Sequence, residues 1–128
     1  MKQRPRQHLA LDTLRLEGAL FLPDQGVLVA GDMLSDVEIP LPDLESADPF
    51  GGYREGLSLL ASVPGVRLVV PGHGHVGDEA QFRRRIAADF AYLDEVEAGR
   101  DPGDPRLTED WLRAEHARAL SRARQARA

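Results

Sequence analysis

Two short segments carry residue types and spacings that suit hydrolytic or metal chemistry. The first is Pro71-Gly72-His73-Gly74-His75. It follows the apolar, β-branched run Val66 to Val70, so it lies at a predicted strand end. Its glycines let the backbone bend sharply, so an imidazole can stand over the edge of a sheet. A His-x-His pair on extended backbone places both rings on one side. Neutral imidazole is the usual partner of zinc, and of iron in mixed sites with carboxylate. The second segment ends in Asp32, directly after Val27-Leu28-Val29-Ala30-Gly31. A carboxylate held just past a buried strand suits a metal bridge or a general base. Each residue also has an ordinary alternative, a solvated turn histidine or an aspartate that caps a loop.

These residues need elements to hold them. Ala19 to Leu22 and Val27 to Ala30 are apolar runs around Pro23-Asp24-Gln25-Gly26, which reads as a tight turn, so the pair predicts a β-hairpin. Residues 35–49 hold Pro40, Pro42 and Pro49 among acids and read as a loop. Helical spacing of Leu57, Leu60 and Ala61 predicts a helix over Tyr53 to Ala61, ending at Val63-Pro64-Gly65. Strand, helix and strand in this order form a βαβ unit, and a parallel pair must be covered on its faces, which gives an α/β class. If those strands are neighbours, Asp32 and His73 share one edge of the sheet. A long helix follows from the Asp78 cap to Gly99, with Phe82, Ile86, Phe90 and Leu93 as its apolar stripe. Thr108 is the expected cap of a last helix, on which Trp111 reads as a core anchor and His116 as a surface or packing residue.

Length and charge bound the rest. The chain has 128 residues and a net charge of −5, enough for one core and a poor match to a general nucleic-acid binder. Residues 111–128 carry five arginines and one glutamate. They read as a solvated basic helix rather than a docking arm. The expected organisation is therefore residues 1–106 as the main unit and 107–128 as a C-terminal basic helix. There is no cysteine, which excludes disulfides, thiol nucleophiles and Cys-ligated metal. No apolar run approaches the ~18 residues of a membrane span, and residues 1–12 lack the apolar core of a secretory signal. A cytoplasmic location without membrane contact is the expectation.

The segment from Gly26 to Asp36 and the segment Val69-Val-Pro-Gly-His-Gly74, spaced around a βαβ unit, resemble the fourth and fifth motifs of metallo-β-lactamase-fold hydrolases. The acidic proline loop and Asp48-Pro-Phe-Gly-Gly-Tyr53 are similar to the same group. The resemblance covers roughly residues 17–98 and implies half of an αββα sandwich: hairpin, βαβ unit, long helix and C-terminal helix. It implies that Asp32 bridges metals and that His73 is the last metal histidine, with His75 as a further ligand if both rings converge. It also implies one or two zinc or iron ions, a small-molecule substrate lined by residues 35–54, and hydrolysis of an ester, thioester, amide or phosphoester. The family's His-x-His-x-Asp-His motif is absent from this chain, and the expected third-motif histidine position holds Thr13, with His8 nearby. The reading therefore calls for a complementing amino-terminal half, or for a second copy, to cover an apolar sheet face. The alternative is a catalytically inactive relative that acts as an interaction module.

Overall fold

The computed structural model describes residues 14–16 and 18–128. Thr13 and His8 lie outside the described residues. The class is α/β. A mixed sheet runs in the order β1 (Leu14–Leu16), β2 (Ala19–Leu22), β3 (Val27–Gly31), β4 (Leu68–Pro71) and β5 (Gly77–Asp78). Neighbouring strands are antiparallel except β3 and β4, which are parallel. The predicted hairpin is β2–β3, closed by the Gly26 amide donating to the Leu22 carbonyl at 2.9 Å.

The crossover between the parallel strands carries α1 (Pro49–Ala61), which starts four residues ahead of the predicted Tyr53. Asp48 explains the difference. Its side chain accepts from the Gly51 amide, and Pro49 fills the first helical position, where a missing N–H costs nothing. This local cap outweighs the poor helix propensity of Gly51 and Gly52. Helix α2 (Glu79–Glu97) begins at Asp78 as predicted, with a reciprocal capping box between Asp78 and Gln81.

Side chains alternate across the sheet. Ala19, Phe21, Leu28, Ala30 and Val69 are buried on one face and join Leu57, Leu60, Phe82, Leu93, Val96 and Leu112 from the helices in one core. The opposite face presents Leu20, Val29 and Val70 in one paired row and Leu22, Val27 and Leu68 in the next. Val29 and Leu68 remain 37% and 42% exposed there. The three helices thus cover one side of the sheet, and an aliphatic side stays open among the described residues.

The buried stripe of α2 differs from the expected one. Phe82 and Leu93 are buried, whereas Ile86 and Phe90 are only half-buried, and Arg85 and Asp89 lie on the buried face with Tyr92 and Val96. Charge is tolerated there because it is paired. Arg85 donates to the Leu34 carbonyl, and Arg106 donates to Asp89 at 2.6 Å.

Helix α3 spans Asp110–Arg127 and is capped at Glu109 with no side-chain bond, not at Thr108. The Thr108 amide is used by a bond to the Arg106 carbonyl, so the preceding turn runs one residue further. Its buried face is Leu112, His116, Ala119, Leu120 and Ala123. Trp111 lies one position off that face and is 45% exposed, so it is not the expected core anchor. His116 packs inside instead. Its Nε2 is 3.0 Å from an Asp101 oxygen and its Nδ1 is 2.7 Å from the Tyr92 hydroxyl. A carboxylate only accepts, so Nε2 carries a proton toward Asp101, and the Tyr92 hydroxyl closes the chain at Nδ1. This chain of bonds ties α3 to α2 and to the turn between them.

Candidate functional site

The parallel register determines where the chemistry-bearing residues sit. Val29 pairs with Val70, but Gly31 pairs with Pro71, so Ala30 is an extra residue in β3. Such a bulge bends a strand and re-aims the side chains that follow. Gly31 takes φ +62°, a left-handed turn that glycine adopts without steric cost, and Asp32 leaves the sheet there. The Gly72 amide donates to the Gly31 carbonyl at 2.7 Å, which locks the two strand ends together. A Cβ on Gly72 would lie 2.9 Å from that same carbonyl oxygen. The close approach of the strand ends therefore needs glycine at this position. Gly72→Ala should cost about 2 kcal/mol, through a widened gap and a weakened hydrogen bond. Urea unfolding reads the loss.

Beyond these strand ends lies a cavity of about 550 Å³. Asp32 and His73 both line it, with Glu38, Leu41, Tyr53, Glu109 and Trp111. The common edge expected for Asp32 and His73 is thus one shared cavity. Residues of the acidic loop and the start of α1 form its second side. Trp111 and Glu109 come from the start of α3. Sequence reasoning missed both. The one signal available was a tryptophan beside the buried Leu112 phase of a helix, which leaves the indole on the flank.

The site is acidic and aromatic. Burial, then the negative charges of Asp89 and Asp32, push the Tyr53 phenol above its ordinary range. It therefore stays protonated at neutral pH and can donate a hydrogen bond into the cavity. Arg106 steadies the acidic loop by donating to the carbonyls of Glu38 and Ser35, at 3.3 and 3.5 Å. Its fork also holds Asp104 through two bonds and Asp89 through one.

His75 is placed differently from His73. Its amide donates to Asp36 Oδ1 at 2.8 Å, and its Nδ1 lies 2.9 Å from Asp36 Oδ2. The ring is 79% exposed and is not part of the cavity lining. Burial opposes ionisation of Asp36, but the bonds from His75 and the charge of Arg85 hold its carboxyl below the usual range. The pair clips the 31–36 loop to the 71–76 loop.

A catalytic zinc site uses about three protein donors and one open position. Asp32 and His73 supply a carboxylate and an imidazole to one cavity. Among the described residues, however, no three His, Asp or Glu side chains are grouped so as to hold one ion. The donor set here does not make a complete metal site. No family model, no curated protein and no solved structure matches this chain.

Proposed function

We propose that the Asp32–His73 cavity is one wall of a hydrolytic centre of the metallo-β-lactamase kind, completed by donors from outside the described residues. The reading is carried by one observation: a carboxylate and an imidazole from adjacent parallel strand tips line the same cavity. A sequence resemblance to that family's two carboxyl-terminal motifs adds to it. In this reading Asp32 accepts a proton from the attacking water. His73 orients the water or the scissile group through a ring nitrogen. Tyr53 donates to the developing oxyanion, and Leu41 and Trp111 exclude bulk water. The acidic lining disfavours anionic substrates, so esters, thioesters and amides fit it better than phosphoesters.

Activity tests it. A panel of activated esters, thioesters, amides and phosphoesters is assayed with millimolar zinc, iron or manganese, which offsets weak binding by mass action. Hydrolysis above the buffer rate is expected, lost to at least about a hundredfold in Asp32→Ala and His73→Ala and retained in His75→Ala. Equal rates in wild type and Asp32→Ala would reject the assignment.

A second reading is favoured by the open aliphatic sheet face and by the short donor set. In it the chain is an inactive relative that serves as an interaction module, with a second copy or a complementing half on that face. Absence of turnover across the whole panel selects this reading over the first.

A further inference from the structure

A second cavity, of about 300 Å³, has a lining separate from that of the Asp32 cavity. Gln81, Arg84 and Arg85 line it from α2, and Ser35, Asp36 and Arg106 face them. Its wall therefore carries three guanidinium groups against one carboxylate, the opposite balance to the Asp32 cavity. Arg106 is already engaged by Asp89 and Asp104. Arg85 is not. It is 7% exposed, yet its guanidinium makes one described hydrogen bond, from Nη1 to the Leu34 carbonyl at 3.1 Å. Its Nη2 is ion-paired with Asp36 at 3.8 Å, too long for a hydrogen bond, and both Asp36 oxygens also bond to His75. Among the described residues no enclosed side-chain nitrogen or oxygen lacks a partner. The unbonded N–H groups of Arg85 therefore keep some access to solvent, and Arg85 lines this cavity.

A largely buried guanidinium with donors to spare and a second arginine one residue away are the elements of an oxyanion site. We propose that this cavity binds a small phosphate-type oxyanion, held by Arg85 and Arg84 with Gln81 and the Ser35 hydroxyl as neutral donors. The Gln81 oxygen accepts from the Asp78 amide, which leaves its NH₂ group available. The Ser35 oxygen accepts from the Val37 and Glu38 amides, which leaves its O–H to donate. A tetrahedral oxyanion offers an oxygen to each of these donors, whereas a carboxylate offers only two, so the donor set favours phosphate over acetate.

Calorimetric titration of the full chain with inorganic phosphate at constant ionic strength tests the site, with acetate as the two-oxygen comparison. One-to-one saturation is expected, with acetate and the Arg84→Ala variant each binding about tenfold more weakly. Arg85→Lys keeps the charge but loses the fork and should weaken phosphate similarly. Arg84 is exposed, so its variant keeps the test valid if Arg85→Lys fails to fold. Absence of saturation, acetate binding as tight as phosphate, or unchanged affinity in Arg84→Ala overturns the proposal.

Discussion

Arg106→Met is expected to destabilise the protein by about 3–5 kcal/mol near neutral pH, the usual result of removing one partner of a buried ion pair. Asp89 is 1% exposed and keeps no comparable partner once Arg106 is gone. The same change frees Asp104 and the carbonyls of Ser35 and Glu38, so the loop that brings Glu38 to the cavity loses its anchor. The penalty should depend on pH. Burial pushes Asp89 up to about 6 even with Arg106 beside it. Its folded value lies above the ordinary carboxylate value of 3.8, so the folded chain binds more protons than the unfolded one between the two. The stability from this group is therefore fully present below about pH 4 and is lost as pH rises through about 6. Without Arg106 the folded value climbs further. Urea midpoints at about pH 5 and about pH 8 should show a smaller Arg106→Met penalty at the lower pH, where Asp89 holds a proton. Asp89→Asn should remove the slope. A penalty equal at both pH values would contradict this account of the pair.

The sheet centre was legible because its signals are local. Two apolar runs, 27–30 and 66–70, bracket a helical segment, and a helical crossover is the usual connection between parallel neighbouring strands. That alone puts Asp32 and His73 at one edge. The α2 start was legible for the same reason, since the Asp78 cap and Gln81 lie within one turn. The bulge at Ala30 left no trace in composition, because Ala and Gly suit several backbone states.

The buried charges were illegible for another reason. Arg85, Asp89 and His116 look like surface residues until their partners are known, and those partners lie 15 to 51 residues away in sequence. Trp111 misled because its size argues for burial, while the phase of α3 is set by Leu112, His116, Ala119 and Ala123. The separation of His73 from His75 turns on Asp36, which captures the His75 amide and ring across 39 residues. An i, i+2 spacing carries no information about that clip.

The largest effect expected on binding concerns Asp32 and His73 together. On the proposed hydrolytic reading, two donors in one cavity would give weak but local metal affinity, and removing either should cost about tenfold or more. Asp36 holds His75 outside the cavity lining, so His75→Ala should change little. Co²⁺ accepts nitrogen and oxygen donors and broadens nearby NMR signals. A Co²⁺ titration of the full chain is thus the most direct measurement of whether the two strand tips serve one site. The account predicts that the His73 ring and the Asp32 amide broaden first and in parallel, and that Asp32→Ala removes the effect at His73. Broadening that begins at His75 and Asp36, or an effect at His73 that survives Asp32→Ala, would contradict it.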